Sequence, residues 1–596
     1  MSFTAPPTFT TRPTLRGSFG MAATTHWLAS SSAMAVLERG GNAFDAAVAG
    51  ALVLHVVEPH LNGPGGDLVA LIAPAGEATR VLCGQGVAPT EATIDHYRGL
   101  GLELVPGAGL LAATVPGAFD AWLLLLRDHG TWELADVAAF ALHYARTGYP
   151  VLPAIARTIG SVRELFTEHW TASADHWLDD GEVPVAGSTR KAEQWAHTLQ
   201  RLIDSADGEN REECIDSVRR EWAEGFVAAE LDRFVREPQR DSSGESHAGV
   251  LRATDLAGWR AGFEEPLRTH FHGHEIVKAG GWTQGPTMLQ ALGILEGFGD
   301  DELDPSTAAG AHLLLETMKL AMADREAHYG DGADLAPLLT AEYAETRREL
   351  ISSSANGELR PGQMDDSAPR LPREAHTHGT RSGGTAHLDS AGEPTVAKTG
   401  ETRGDTCHID IVDQWGNMVS ATPSGGWLQS SPYIPELGFC LGTRLQMTWL
   451  EEGLAASLVP GKRPRTTLSP TIVEHEGKAV LALGTPGGDQ QDQWQLPFLL
   501  RMLVGNYELQ QAIDAPSLHT TSTTDSFWPR ERTPNGAVVE RSLGRELIAE
   551  LIVRGHDVTV SDEWTLGRLS AVARNTDGTL SAAANPRGMQ GYAVGR

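Results

Sequence analysis

The sequence predicts an α+β protein in which helices and antiparallel strands are both well represented. Residues 43–57 are apolar almost throughout and follow an asparagine that can cap a helix, which predicts a buried helix. Residues 407–413 alternate apolar and polar side chains, as in a strand with one buried face, and residues 418–422 are typical of the returning strand. Residues 471–483 predict a second hairpin.

The remaining elements follow from the same patterns. Residues 22–40 predict a first helix that ends at a Gly-Gly pair, and a glycine-rich loop over 58–67 leads into a strand over 68–73. Further predictions are a strand over 81–89 and helices over 116–127, 135–146, parts of 190–260, from 285, from 312 and over 496–503. Residues 352–404 carry mostly Ser, Gly, Pro, Thr and charge, which predicts a flexible surface segment.

Composition excludes several classes of partner. The chain has 596 residues and 41% hydrophobic content, so it is globular and long enough for two or three packed layers. Its net charge of −30 disfavours nucleic acid and anionic membrane as partners, because neither is attracted to a strongly acidic surface. The four cysteines are widely spaced and form no C-x-x-C pair, so neither a zinc ribbon nor a disulfide framework is indicated.

The first residues of the chain do not resemble a targeting segment. Residues 1–16 are rich in Pro and Thr and lack the apolar core of a signal peptide. The longest apolar run, residues 46–57, is interrupted by His55 and is too short to span a bilayer. We therefore expect a cytoplasmic enzyme.

One histidine group raises the question of a metal. If residues 270–274 form a strand, His270, His272 and His274 point to one face and could converge on an ion. No acidic or cysteine ligand nearby completes a set, so we expect no metal site here.

Thr406 is the first candidate for chemistry. It begins a hairpin strand directly after about fifty polar, loop-like residues. If the chain is cut before it, its own α-amine, with a pKa of about 8, could act as the base for its own hydroxyl. A strand-initial threonine is more often purely structural, so this pattern alone leaves the choice open.

Two separated motifs carry a resemblance to a known family. Thr406 and His408 open a strand–turn–strand unit that continues through Asp413, Gly416-Asn417 and Thr422, with Cys407 in place of a second threonine. Residues 40–67 contain Gly-Gly-Asn-Ala, Val-Val-Glu-Pro and Gly-Pro-Gly-Gly. In both segments, and in five blocks overall, the chain resembles the gamma-glutamyltranspeptidase family of N-terminal nucleophile hydrolases.

The resemblance implies a four-layer αββα sandwich made as one precursor without a cofactor. The precursor would cut itself between Asp405 and Thr406, giving a large subunit, 1–405, and a small subunit, 406–596, that act together on a small-molecule amide. It further implies that Thr406 is the nucleophile and that the backbone N–H groups of Gly487 and Gly488 stabilise the oxyanion. Ser424 would support the nucleophile, whereas Thr466 and Thr467 stand where relatives have two serines that hold a substrate carboxylate.

The chain departs from the family at the positions that grip a γ-glutamyl group. Relatives carry an Arg before an Ala-Pro pair, whereas here the segment 83–89 has no Arg, and Gln85 is the substrate-binding candidate within it. Gly426 stands where relatives have an Asn for the substrate amine, and residues 441–447 lack the Asp that accompanies it. Arg444 is the candidate to replace the missing Arg, with an ordinary surface arginine as an equal alternative.

Three functions are compatible with these residues. The first is a hydrolase or transferase for γ-glutamyl compounds such as glutathione. The second is an acylase for a different acyl chain, such as that of a dicarboxylic monoamide. The third is a non-catalytic scaffold, which the intact Thr406, Gly487 and Gly488 disfavour.

Overall fold

The computed structural model describes residues 3–364, 368–373 and 406–596, and the backbone of residues 395–396 and 402–403. In chain order the strands are β1 Leu15–Gly17, β2 Gly20–Thr24, β3 Asp67–Ala73, β4 Arg80–Cys83, β5 Tyr149–Pro150, β6 Thr189–Arg190, β7 Gln239–Arg240, β8 Ser246–His247, β9 Gly262–Glu264, β10 Leu267–Phe271, β11 His274–Lys278, β12 Thr395–Val396, β13 Thr402–Arg403, β14 Ile409–Asp413, β15 Met418–Ser424, β16 Thr471–His475, β17 Lys478–Gly484, β18 Leu518–Thr520, β19 Gly536–Glu540, β20 Asp557–Ser561, β21 Ser570–Arg574, β22 Leu580–Ala584 and β23 Tyr592–Gly595.

The helices are α1 Trp27–Glu38, α2 Ala43–Val57, α3 Ile94–Gly99, α4 Ala118–His129, α5 Leu134–Thr147, α6 Pro153–Ser161, α7 Arg163–Glu168, α8 Thr171–Trp177, α9 Glu193–Asp204, α10 Arg211–Glu224, α11 Phe226–Val235, α12 Ala253–Ala257, α13 Pro286–Leu295, α14 Ala308–His328, α15 Ala341–Arg348, α16 Gln491–Leu503, α17 Leu509–Asp514 and α18 Arg545–Val553. No helix in these described ranges is both long and apolar enough to cross a bilayer.

Two seven-stranded sheets form the centre of the fold. Sheet A has the order β1-β22-β21-β17-β16-β11-β10, and sheet B has the order β23-β2-β14-β15-β3-β4-β9. All pairings within both sheets are antiparallel. Each sheet contains strands from before residue 405 and from after it, so the two halves of the chain are interleaved.

Side-chain alternation explains how the layers stack. Ile409 and Ile411 of β14 pack into the helical core that includes α1, α2, α4 and α5, whereas Val412 packs between the two sheets. On the far side of sheet A, Val473 and Leu483 pack against α13, α14 and α16. Because both faces of both sheets are covered, every residue of the central strands β14 and β15 is buried, polar residues included. The result is the predicted four-layer αββα sandwich.

Most predicted elements are present, but the first helix begins later than its pattern suggests. Residues Gly20–Thr24 form β2, which pairs with β14, and α1 begins at Trp27 with His26 as its N-cap. Apolar residues such as Met21, Ala22 and Ala23 fit a buried strand as well as a helix, and the pairing of this segment with β14 decides in favour of the strand.

Within the predicted flexible segment, 352–404, the first residues are held against the rest of the protein. Residues 352–364 are tied to the body, because the Asn356 carbonyl accepts a hydrogen bond from Lys319 and the Gly362 amide donates to Asp324 at 2.6 Å. Most of the remainder, including the predicted cleavage-site residue Asp405, lies outside the described residues.

Candidate active site

Thr406 lies at the end of sheet B, where β14 meets β15. Its hydroxyl oxygen lies 3.1 Å from the Ser424 hydroxyl oxygen, and only 3% of the residue is exposed. The Cys407 amide donates to the Pro423 carbonyl at 3.0 Å, so the ladder between the two strands continues up to the threonine. Strand register therefore brings together the first two predicted site residues.

The side chain that follows Thr406 is held by the loop after α2. The Cys407 thiol donates to the Glu58 carboxylate at 3.1 Å, and the Asn62 amide donates to the Cys407 sulfur at 3.1 Å. Burial raises the pKa of Glu58, and hydrogen bonds from Thr25 and Cys407 act against that rise. Sequence reasoning missed the contacts of Glu58 and Asn62 with Cys407, although it identified the motif that contains both.

His408 is engaged on both sides of its ring. One ring nitrogen lies 3.0 Å from the Thr422 hydroxyl, and the other lies 2.8 Å from the Asp410 carboxylate. Asp410 in turn accepts from Ser570 of sheet A at 2.8 Å. His408 thus braces the two sheets, and the α-amine of a mature Thr406 remains the candidate base.

The glycine pair follows β17 and adopts backbone conformations that suit glycine. Gly487 has φ 139° and Gly488 has φ 50°. A Cβ on Gly487 would lie 2.2 Å from the Trp494 ring, and one on Gly488 would lie 3.1 Å from Phe527. Close packing and positive φ therefore both require glycine at Gly487.

A buried polar network holds this loop. The Gln284 amide donates to the Gly488 carbonyl at 3.1 Å and accepts from Arg325 at 3.1 Å. Arg325 also pairs with Asp489, the residue after Gly488. Burial alone would raise the pKa of Asp489, but Arg325 holds it at about 2. Gln284 is a further residue that the sequence did not reveal, because nothing in its local pattern distinguishes it.

The same glutamine connects the loop to the predicted carboxylate-binding threonines. The Gln284 backbone amide donates to the Thr466 carbonyl at 2.9 Å, and the Thr466 amide donates to Trp282 at 2.8 Å. Thr467 is buried beside it. Thr466 and Gly488 are thus joined through one residue, which binds Thr466 with its backbone and Gly488 with its side chain.

Arg444 lies on the other side of Ser424, where it is fully engaged with an acid. Its guanidinium binds both carboxylate oxygens of Asp67, at 2.5 and 2.8 Å, and each side chain is 3% exposed. Asp67 pairs with Ser424 in the register of β3 and β15. Arg444 is therefore not a surface arginine, and its charge is balanced within the protein.

Gln85 is buried beyond the end of β4. Its side-chain nitrogen donates to the adjacent Gly86 carbonyl at 3.1 Å. Its oxygen is buried without a hydrogen-bond partner among the described residues. Among the hydrogen bonds of the described residues, none joins the Gln85 side chain to Thr406 or Ser424.

The three histidines considered for a metal do not share one strand. β10 ends at Phe271 and β11 begins at His274, while His272 occupies the turn with φ 46°. The assumption of a continuous strand over 270–274 was wrong, because His272 and Gly273 both adopt positive φ and reverse the chain.

A different group within the described residues has metal-ligating side chains close together. The ligand atoms of His312, Glu316 and His556 lie within 4.8 Å of one another. However, Glu316 already accepts from Lys319 at 2.7 Å and from Arg360 at 3.3 Å. Two cations at the carboxylate oppose a third positive charge, so we assign no metal to this group.

The fold and the site together define a class. A four-layer αββα sandwich with a hydroxyl nucleophile candidate at the start of a central strand is the arrangement of the N-terminal nucleophile hydrolases. Residues 29–595 match the sequence profile described as Gamma-glutamyltranspeptidase, and the chain therefore belongs to the gamma-glutamyltranspeptidase family. It is accordingly an enzyme of the amidohydrolase and acyltransferase kind, as its motifs predict.

Relatives of known name span nearly the whole chain. The Acylase ACY 1 proenzyme of Pseudomonas sp. (strain V22) is 28% identical, over 95% of this chain and 92% of its own. The Glutathione hydrolase-like YwrD proenzyme of Bacillus subtilis (strain 168) is 29% identical, over 97% of this chain and 99% of its own. The Oxamate amidohydrolase proenzyme of Klebsiella pneumoniae subsp. pneumoniae is 29% identical, over 95% of this chain and 97% of its own.

Solved structures confirm the fold. The structure of LmbA2991HD shares 54% identity and a TM-score of 0.92, covering 99% of this chain and 100% of that chain. The crystal structure of the cephalosporin acylase from Bacillus halodurans shares 26% identity and has a TM-score of 0.82, covering 99% of this chain and 98% of that chain.

Proposed function

We propose that the chain matures by cutting the peptide bond between Asp405 and Thr406. The Thr406 hydroxyl attacks the Asp405 carbonyl carbon, and the acyl group moves from nitrogen to oxygen to give an ester. Water hydrolyses that ester, which leaves a carboxylate on Asp405 and a free amine on Thr406. The named relatives are proenzymes, which supports this maturation.

The two resulting chains would stay together without a covalent link. β14 and β15 of the small part are flanked in sheet B by β2 and β3 of the large part. In sheet A, β16 of the small part pairs with β11 of the large part. Separation would break both ladders and expose the core between the sheets, so we propose a stable heterodimer. We also propose a cytoplasmic location, which cell fractionation tests.

In catalysis the freed amine accepts the Thr406 hydroxyl proton as the oxygen attacks the substrate amide carbon. The N–H groups of Gly487 and Gly488 donate to the oxyanion, and the Ser424 hydroxyl orients the nucleophile. The leaving amine takes the proton, and water or an acceptor amine then resolves the acyl-enzyme. The observation that carries this proposal is the 3.1 Å contact between the Thr406 and Ser424 hydroxyls at the end of the hairpin.

The substrate we propose is an amide whose acyl group lacks the α-amine of γ-glutamate and ends in a second carboxylate. Gly426 offers no side chain to an amine, and Arg444 is already bound to Asp67. A charge-assisted hydrogen bond is worth about 1.5–3 kcal/mol, so losing the Arg and Asp partners weakens γ-glutamyl binding about a hundredfold or more. One relative is named for oxamate, which is itself the monoamide of a dicarboxylic acid.

A γ-glutamyl substrate is the second candidate, because another relative is named as glutathione hydrolase-like. The test compares kcat/KM of the purified enzyme for glutaryl p-nitroanilide and γ-glutamyl p-nitroanilide, with the Thr406→Ala variant as a blank. We expect a clear preference for the glutaryl compound. A preference for the γ-glutamyl compound would restore the ordinary family activity, and activity in the blank would refute Thr406 as the nucleophile.

A further inference from the structure

The loop that carries the proposed oxyanion donors lies over the end of the hairpin that carries the nucleophile. The Ser420 hydroxyl of β15 donates to the Leu483 carbonyl of β17 at 3.0 Å. One position further along β17, a Cβ on Gly484 would lie 2.2 Å from the His408 ring. Since His408 follows the nucleophile closely on its strand, the glycine pair that continues from Gly484 lies at the same end of the two sheets.

Two aromatic rings occupy the places where side chains on that glycine pair would lie. A Cβ on Gly487 would lie 2.2 Å from the Trp494 ring, and one on Gly488 would lie 3.1 Å from Cε2 and 3.8 Å from Cζ of Phe527. Gly488 has φ 50°, one of many conformations that a glycine can adopt. Because glycine itself restricts its backbone little, the Phe527 ring supplies the restriction from outside.

The chain around Phe527 is fixed to the residue that follows the glycine pair. The Ser526 amide and hydroxyl donate to the Asp489 carboxylate at 2.7 and 2.6 Å. Arg325 binds the same carboxylate and also donates to the Thr524 carbonyl at 2.9 Å. The aromatic ring and the glycine loop are therefore held in one hydrogen-bonded unit.

A second set of contacts holds Phe527 from the segment 441–447. The Trp528 amide donates to the Gln446 side-chain oxygen at 3.1 Å. Phe527 also shares a buried apolar cluster with Met447. The ring is thus fixed from two directions, and it cannot withdraw from the glycine loop without breaking these contacts.

We propose that Phe527 is a positioning residue that keeps the Gly488 N–H aimed at the oxyanion. This inference rests on the proposed function for the roles of Thr406 and Gly488, but not on the chemistry of the acyl group. A donor that is held in place before the reaction needs no reorganisation during it, and a displacement of about 1 Å can cost about a hundredfold in rate. A smaller side chain in place of Phe527 leaves Gly488 free to turn away.

The test measures turnover of glutaryl p-nitroanilide by mature enzyme whose cleavage has been confirmed by mass spectrometry. We expect Phe527→Leu to lower kcat about 10-fold and to leave KM within about twofold, because the oxyanion forms only after the substrate has bound. Phe527→Ala should lower kcat further. If the enzyme prefers γ-glutamyl p-nitroanilide, that compound takes its place, so an error in the proposed acyl group does not affect this test.

A second measurement separates oxyanion binding from general packing. Carboxypropyl boronic acid carries boron in place of the amide carbon, and its tetrahedral adduct with the Thr406 oxygen places a negative oxygen at the donors. Its Kd, measured by calorimetry, should rise about 10-fold in Phe527→Leu, in parallel with the fall in kcat. The inhibition constant of glutarate, which forms no such adduct, should stay within about twofold.

The control is Phe166→Leu, which makes the same change at a fully buried phenylalanine of α7, beside Trp170. It should leave kcat and the Kd of the boronic acid unchanged. Equal kcat values for Phe527→Leu and Phe166→Leu, or equal weakening of the boronic acid and glutarate, would show that Phe527 contributes only packing. A wild-type enzyme that hydrolyses neither anilide and does not bind the boronic acid would instead overturn the proposed function, and this inference with it.

Discussion

The pair formed by Arg444 and Asp67 gives the sharpest prediction about stability. Arg444→Ala removes two hydrogen bonds, at 2.5 and 2.8 Å, and leaves the Asp67 carboxylate buried without its cation. Breaking a buried ion pair from one side costs about 3–5 kcal/mol. Since domains are stable by about 5–15 kcal/mol, the free energy of unfolding should fall by about a fifth or more. Changing both residues, to Met and Leu, should cost less than the sum of the single changes.

The assay is urea unfolding, followed by tryptophan fluorescence, in a Thr406→Ala background that keeps the chain whole. Arg541→Ala is the matched control, because Arg541 and Asp562 form an ion pair at 3.1 Å whose side chains are 65% and 86% exposed. An exposed pair contributes about 0–1 kcal/mol, so this variant should unfold almost as the parent does. If Arg444→Ala costs as little as Arg541→Ala, or if the double change is additive, the buried pair is not what stabilises this loop.

Three further outcomes are expected. Thr406→Ala should abolish both self-cleavage and amide hydrolysis, so the protein keeps the mass of the whole chain, 63.8 kDa. Cys407→Ser should retain self-cleavage and amide hydrolysis, because a hydroxyl can replace the thiol as a hydrogen-bond donor. Equal damage from both variants, measured by mass spectrometry and anilide turnover, would mean that the nucleophile is misassigned. Arg325→Lys should lower kcat more than tenfold, a loss of about 1.4 kcal/mol or more, with KM little changed, because the glycine loop loses the guanidinium that contacts Asp489 and Gln284. The control is Arg587→Lys, because Arg587 is equally buried but binds Glu540. This variant should leave kcat unchanged. A similar fall in kcat for Arg587→Lys would mean that Arg325 contributes only to packing. Finally, the free energy of unfolding should fall as the pH drops from about 6.5 towards 3, since burial lowers the pKa of several histidines to about 3 and unfolding lets them take up protons. The histidines concerned are His26, His55, His60, His176, His519 and His556. If urea titrations give a free energy of unfolding that stays constant between about pH 6.5 and 3, this prediction is wrong.

The parts of the site that the sequence predicts are those that depend on neighbouring residues. The hairpin of β14 and β15 follows from alternation around a turn, and its register places Ser424 beside Thr406. Gly487 follows from a glycine-rich strand end, where a side chain would strike Trp494. Local pattern also misleads, as at β2, because small apolar residues fit a helix and a buried strand equally well.

Other parts depend on contacts between distant segments, and no local pattern reveals them. Arg444 and Asp67 are 377 residues apart, and Glu58 and Cys407 are 349 apart. Whether an arginine is exposed, bound to an internal acid or open to a ligand depends on what the fold brings next to it. The sequence could therefore identify Arg444 as a candidate, but it could not show that the Arg444 guanidinium is already bound to Asp67.

The proposed site has a chemical part and a recognition part that rest on different structural supports. Thr406 and Ser424 are fixed by the register of a central sheet, and Gly488 is fixed by Gln284 and Arg325 from the opposite helical layer. The positions that would grip a γ-glutamyl group lie outside the strands and α-helices, where substitution disturbs the sheets least: Gln85 and Gly426 are in loops, and residues 441–447 include a short 3-10 helix, Arg444–Met447. Arg444 shows the consequence, since its charge now stabilises the loop with Asp67 rather than facing a ligand.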